Sequence, residues 1–270
     1  MDNNEYEQQY KKEVIGFFNS RTSYDNDYTI RRAIPLLKLI QLQEGQTILD
    51  LATGTGIIAI AAAQIIGYSG KVIAVDFSSG MLAQAQQKME ALNLQNIELI
   101  EADVDYIDFP DESFDVILCS TAIVYFKDIP SAIRKWHSWL KPGGVVGFSC
   151  CSENSCEAPL IITVCAKHGI LLSNINEPTG SIEKCHNLLA EAGFQDIEVK
   201  TQQLGFYRSL AQAREWNGGW FHPRENTLSK LSSEHMAGLK AEYRQQIESL
   251  VTEQGVWYEN MTFFVTGRKK

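Results

Sequence analysis

Between residues 47 and 150, short apolar runs alternate with longer segments whose apolar residues recur every three or four positions. This alternation is the βαβ pattern of a parallel sheet covered by helices. It predicts strands at 47–51, 71–76, 97–100, 113–120 and 145–150. Helices are predicted at 57–66, 78–91 and 129–140, the second with Ser78 as its N-cap. Lys141-Pro142-Gly143-Gly144 reads as the turn that stops the third helix. An amphipathic helix, 6–18, and a second helix, 28–42, precede this core, and Asn19-Ser20-Arg21-Thr22-Ser23 breaks the first. Beyond residue 150 the alternation slows. Residues 152–178 are irregular with some helical pattern, a helix at 181–192 is stopped by Gly193, and strands are expected at 196–202 and 261–266. Residues 205–259 form a long aromatic-rich insertion. There is no repeat and no linker, because the last strand must pair with a sheet that begins at residue 47. The expectation is a single domain over 1–270, with N-terminal helices (1–45), a core (46–150), cap or substrate segments (151–180 and 205–259) and a last strand (260–267).

The chemistry concentrates where the first strand ends. Asp50 lies near its end, and Thr53-Gly54-Thr55-Gly56 opens directly into a helix. Glycines let the backbone turn tightly and approach a ligand. In such sheets the carboxyl ends of the strands face the binding crevice. A carboxylate at Asp50 would repel a pyrophosphate but suits the ammonium of an amino-acid tail. Asp76 ends the second strand, where an acid can accept both ribose hydroxyls.

Composition narrows the partners. The 270 residues are 44% hydrophobic and 21% charged, enough apolar material for a sizeable core, and the net charge of −9 repels phosphate backbones. The only basic cluster is Arg268-Lys269-Lys270, which reads as a solvated tail. The N-terminus lacks the apolar stretch that secretion needs, and the longest apolar run, 57–66, is too short to span a bilayer. A cytoplasmic protein with no membrane and no nucleic-acid partner is expected. The six cysteines include no C-x-x-C pair, and the acidic run from Asp105 to Asp115 lacks metal-loop spacing. They read as reduced, buried thiols and a solvated turn, with no metal site.

Taken together, the motifs resemble those of the class I S-adenosylmethionine-dependent methyltransferases. Ile48-Leu49-Asp50-Leu51-Ala52-Thr53-Gly54-Thr55-Gly56 is similar to the family's first motif, and Val75-Asp76-Phe77-Ser78 to its ribose-binding strand end. Ala102-Asp103-Val104 resembles the adenine-binding turn, and Phe114-Asp115-Val116-Ile117 with Cys119-Ser120 resembles the strand beneath the methyl group. Leu140-Lys141-Pro142-Gly143-Gly144 and Ala190-Glu191-Ala192-Gly193-Phe194 resemble the leads into strands five and six. The wording is nearest to the branch that includes ubiquinone and menaquinone C-methyltransferases and many small-molecule O- and N-methyltransferases. The resemblance implies an α/β three-layer sandwich, with a Rossmann-like, mostly parallel seven-stranded sheet, an antiparallel last strand and a helical cap, the N-terminal helices (1–45) forming a lid as in similar enzymes. It implies S-adenosyl-L-methionine as cofactor, with contacts from Asp50, Ala52, Thr53, Gly54, Gly56, Asp76, Phe77, Met81, Ala102, Asp103, Val104 and Ser120. Each acid taken alone also reads as a cap or turn former; the joint spacing favours cofactor binding.

The acceptor leaves no motif. Tyr24, Tyr28, Tyr125, Phe126, Trp216, Trp220 and Phe221 are candidate pocket aromatics, each equally readable as core packing. Tyr24, Tyr125, Phe126 and Trp220 are the preferred substrate contacts. Among the histidines, His137 reads as structural and His235 as exposed, while His168, His186 and His222 fall in possible pocket segments. His222, beside Trp220 and Phe221, is the preferred proton acceptor. Cys119-Ser120-Thr121-Ala122 lacks the Asn/Asp-Pro-Pro-aromatic tetrapeptide of similar amino-group DNA enzymes, and no Pro-Cys nucleophile is present. A small-molecule acceptor is expected, handled by a monomer or homodimer. Two alternatives stay open: an NAD-dependent oxidoreductase on the same loop, and a cofactor-binding protein without turnover.

Overall fold

The first five strands pair in parallel, and the order in which they do so places the crevice. β1 (Thr47–Leu51) lies between β2 (Lys71–Asp76) and β4 (Phe114–Ser120). β3 (Ile97–Glu101) pairs with β2, and β5 (Leu140–Cys151) with β4. The full order is β3-β2-β1-β4-β5-β9-β6, with β6 at Gln195–Gln203 and β9 at Met261–Arg268. β9 runs antiparallel, as expected, and helices cover both faces. The chain builds outward from β1 to β3 and then returns to β4 on the other side. The reversal falls between β1 and β4, where an open α/β sheet forms its ligand crevice. In this computed structural model residues 3–216 and 228–270 are described.

The chain divides into two compact units. The first comprises Ile15–Cys150, Ile182–Gln202 and Thr262–Lys270, and holds the large sheet. On one sheet face, α2 (Asp27–Ile40), α3 (Ile57–Ile66) and α4 (Ser79–Ala91) bury Leu36, Ile58, Ala62, Ile66 and Met89 against Ile48, Val72, Ala74, Val116 and Leu118. Alternate strand residues face this cluster because strand side chains have a period of two. α3 is apolar on nearly every side, which suits a helix embedded in the core. α5 (Ile129–Trp139) starts at Asp128, whose carboxylate accepts the Ser131 N–H, and packs against α7 (Ile182–Glu191). Ser78 is the N-cap of α4, as the sequence predicts.

The strand β5 departs from expectation. Lys141 to Gly144 was expected to be only a turn, yet β5 begins at Leu140. The Gly143 N–H donates to the Lys269 carbonyl at 2.8 Å, and the Lys269 N–H donates to the Gly144 carbonyl at 2.9 Å. Pairing with the end of β9 therefore draws the turn into the sheet. No local pattern signals it, because its partner lies about 125 residues away.

The second unit comprises Met1–Val14, Cys151–Ser181 and Gln203–Met261. α1 (Asn3–Asn19) runs from this unit into the first. α6 (Ala158–Lys167), α8 (Leu210–Ala213) and α9 (Ser233–Ser249) share a core of Ile161, Val164, Cys165, Ala213, Leu239, Tyr243 and Ile247. A two-stranded antiparallel ribbon, β7 (Phe206–Arg208) with β8 (Val256–Tyr258), lies inside the segment read as an insertion. Arg208 is ion-paired with the buried Glu157, and its guanidinium lies 4.4 Å from the centre of the Tyr258 ring. No helix among the described residues is long and apolar enough to cross a membrane.

Candidate active site

A cleft opens at the switch between β1 and β4, lined by residues that include Tyr24, Thr29, Ala33, Asp50, Ala52, Thr53, Gly54, Ser120 and Thr121. All belong to the first unit. The loop after β1 makes the floor. Ala52, Gly54 and Gly56 have φ values of 54°, 58° and 77°, in the left-handed region. Glycine adopts it freely, while alanine there is under mild strain. Ala52→Gly should therefore fold at least as stably as the natural chain. Ala52→Val, with a branched Cβ, should lose about 1–2 kcal/mol, and thermal denaturation of the two variants measures the difference.

The acids hold this loop. Asp76 is 5% exposed; its Oδ2 accepts the Gly54 N–H at 2.8 Å and its Oδ1 accepts the Ser78 N–H at 2.8 Å. Burial raises the Asp76 pKa, and the backbone N–H groups of Ser78, Gly54 and Phe77 oppose the rise. Asp50 is 1% exposed and accepts the Thr53 hydroxyl at 2.6 Å. Burial pushes its pKa up to about 7; the Thr53 bond opposes this and the negative charge of Asp76 adds to it. Two buried carboxylates, with the charge of Asp76 adding to the cost of ionising Asp50, form a donor set suited to a cation. That chemistry fits a ligand with an ammonium and a sulfonium, and it disfavours a pyrophosphate.

The other predicted contacts converge on the same edge of the sheet. The Ala102 N–H donates to the Asp76 carbonyl at 3.0 Å, which brings the turn of Ala102, Asp103 and Val104 beside the end of β2. Asp103 also acts as a turn former, its Oδ1 accepting the Asp105 N–H at 3.0 Å. Met81 is buried in the first turn of α4, its N–H donating to Ser78 Oγ, and Phe77 is half-buried just before it. Ser120 ends β4 across the cleft from the glycine loop.

A segment that sequence reasoning assigned only to a lid is bound to this loop by side chains. Asn19 Oδ1 accepts the Ser78 hydroxyl at 2.7 Å and the Gly80 N–H at 2.9 Å. Asp25 accepts the Thr55 hydroxyl and pairs with Lys88 at 2.6 Å. Nothing in the spacing of Asn19 or Asp25 marks these contacts, since their partners lie 30 or more residues away. Tyr24 lines the cleft, and burial raises its pKa against the opposing charges of Arg32 and Arg21. Phe18 stands edge-on to both Tyr24 (6.3 Å) and Tyr125 (5.9 Å). Phe126 is 1% exposed and packs on Trp136 at 5.5 Å, in the core. Trp216 stacks edge-on against Tyr243 in the second unit. Trp220, Phe221 and His222 lie outside the described residues.

The remaining histidines and cysteines fall in place. His137 packs on Phe194 at 4.8 Å, and burial lowers its pKa. His168, His186 and His235 are exposed. Cys119, Cys150, Cys151, Cys165 and Cys185 are buried thiols, with Cys150 Sγ 3.7 Å from Cys185 Sγ. Among the described residues no group of three His, Cys, Asp or Glu side chains is placed to hold a metal ion.

The chain matches a family described as a methyltransferase domain over residues 48–144. A demethylmenaquinone methyltransferase from Geobacillus kaustophilus (strain HTA426) is 30% identical over 190 residues, which cover 63% of this chain and 80% of that protein. The chain belongs to the class I S-adenosylmethionine-dependent methyltransferases. A demethylmenaquinone methyltransferase from Listeria welshimeri is 35% identical over 108 residues, 40% of this methyltransferase and 46% of the relative. Among solved structures, a putative methyltransferase from Bacillus halodurans C-125 shares the fold at a TM-score of 0.60 and 22% identity, covering 87% of this chain and 97% of that one. A phosphoethanolamine N-methyltransferase from Haemonchus contortus, in complex with S-adenosyl-L-methionine, shares it at 0.53 and 19%, covering 94% and 60%. This methyltransferase uses S-adenosyl-L-methionine as its cofactor.

Proposed function

We propose that this methyltransferase acts on a small-molecule acceptor, and that the cleft between β1 and β4 is where transfer takes place. The observation that carries the reading is the buried pair Asp50 and Asp76 around the Gly54 loop. In this reading the loop from Ala52 to Gly56 holds the methionine part of the cofactor, and Asp50 faces its ammonium. Asp76 receives the ribose hydroxyls, with Phe77 and Met81 beside it. The turn of Ala102, Asp103 and Val104 receives the adenine, and Ser120 closes the cleft from β4. When bound, the cofactor supplies an electrophilic methyl group on a sulfonium. The chain's own residues then align the acceptor in line with it and keep water out. Tyr24, which lines the cleft, and Tyr125, which shares Phe18 with it, are proposed to contact the acceptor, whereas Phe126 serves the core on Trp136. Asp50 and the turn of Ala102, Asp103 and Val104 count against the dehydrogenase alternative, which would share Asp76.

The net charge of −9 disfavours nucleic-acid acceptors. The aromatic edge formed by Phe18, Tyr24 and Tyr125 suits a planar acceptor, and the curated relatives are named for demethylmenaquinone. We read the protein as a cytoplasmic monomer or homodimer in which residues 1–270 serve one reaction, without membrane or nucleic-acid partners. Methyl-labelled cofactor offered with naphthoquinols, catechols and small amines, beside tRNA, duplex DNA and unfolded protein, tests the acceptor class. Label is expected in the small-molecule fraction; label confined to a macromolecule would overturn the proposal.

A further inference from the structure

Ser149 sits near the C-terminal end of β5, is 0% exposed, and belongs to none of the family motifs. Its Oγ nevertheless joins three elements around the cleft. It donates to the Arg32 carbonyl of α2 at 3.0 Å. It accepts the Thr121 N–H at 3.1 Å, and it lies 3.2 Å from Ser120 Oγ. Since its own proton goes to Arg32, the Ser120 hydroxyl donates to it, which fixes the direction in which Ser120 presents its lone pairs. Thr29 and Ala33, on either side of Arg32, line the cleft, as do Ser120 and Thr121. One buried hydroxyl therefore sets the spacing between two walls.

The backbone it holds is strained. Thr121 has a φ of 53°, a left-handed conformation that a β-branched residue adopts only when its surroundings impose it. The Thr121 N–H is shared between the Ser149 carbonyl at 2.9 Å and the Ser149 hydroxyl. Across the cleft, Ala52 is held at a φ of 54° where the chain leaves β1. The chain turns abruptly at the ends of both strands that flank the switch point, and at β4 Ser149 accounts for the turn.

We infer that Ser149 is a positioning residue for the cofactor cleft: its hydroxyl pins the left-handed Thr121 against α2. The inference rests on the reading of this cleft as the cofactor site. If pinning is its role, a glycine at 121, which adopts positive φ without strain, makes the pin dispensable. The test is a double-mutant cycle in the full-length protein, read as S-adenosylhomocysteine affinity by calorimetric titration. Ser149→Ala is expected to weaken binding by roughly tenfold, the scale of one lost buried hydrogen bond. In the Thr121→Gly background the same change is expected to cost less than about twofold. Equal losses in both backgrounds, or no loss in either, overturn the inference, because a purely packing role is not rescued by backbone freedom at 121. If Ser149→Ala does not fold, Ser149→Cys, similar in shape with a weak donor, enters the same cycle. Asp76→Ala runs alongside. If it binds like the natural chain, the cleft reading fails together with this inference. If it loses binding while the cycle shows no coupling, only the role of Ser149 fails.

Discussion

Asp76→Ala is expected to weaken S-adenosylhomocysteine binding by about 100-fold or more, the scale of losing a buried, charge-assisted acceptor. The carboxylate is nearly fully buried and both oxygens are used, one on the Gly54 N–H and one on the Ser78 N–H. Removing it takes away the proposed ribose contact. It also leaves two N–H donors without an acceptor, one in the glycine loop and one at the N-cap of α4. Folding stability should fall by about 1–3 kcal/mol for those donors. Calorimetric titration at a temperature where circular dichroism shows the variant still folded separates the two effects. Affinity within threefold of the natural chain would remove Asp76 from the site.

Asp50→Asn is expected to separate stability from binding. The Asp50 pKa is about 7 in the folded protein against 3.8 for an ordinary aspartate, chiefly from burial. Below about pH 4 both states hold the proton, and the group makes no difference. As pH rises from 4 to 7 the unfolded chain ionises first while the folded chain keeps its proton, so stability falls; above 7 the loss levels off. Asp76, also raised by burial, adds a slope of the same sign. Asn has nearly the same shape, its Oδ1 can still accept the Thr53 hydroxyl, and it does not ionise. The variant should therefore melt higher than the natural chain at pH 8, with the gap closing toward pH 4. Binding should move the other way. A cationic ligand needs the carboxylate, so affinity of the natural chain should rise between pH 6 and 8 with release of a proton. Asp50→Asn should lose that rise and bind roughly 10- to 100-fold more weakly at pH 8, the loss expected for a desolvated charge pair. Unchanged affinity at pH 8 would refute the contact. A higher melting temperature with weaker binding is the stability–function conflict common at buried charged sites.

The order of strands and helices from 47 to 120 was legible because each element is announced by its own residues. The short apolar runs of β1 and β4, the Ser78 cap and the glycines at 54 and 56 are local signals, and the structure follows them within a residue or two. The two acids were legible for the same reason, since each sits at or beside the end of its strand. The early start of β5 was not, because it depends on Lys269. Nor were the links of Asn19 and Asp25 to the loop and α4. The ribbon Phe206–Arg208 with Val256–Tyr258 is three residues long on each side, too short for a periodic signal, and its partners are about 50 residues apart.

By itself the sequence determined the sheet class, the Gly54 loop and the pair Asp50 and Asp76. These follow from periodicity, glycine conformation and strand-end position, which are properties of neighbouring residues. Only the tertiary structure decided that both acids are buried enough for Asp50 to titrate near 7, and that Asp25 meets Thr55. It also decided that Ser149 holds a strained Thr121 beside Arg32. Each of these arises from groups that sheet pairing and burial bring together across the chain, and desolvation has no counterpart in a linear pattern.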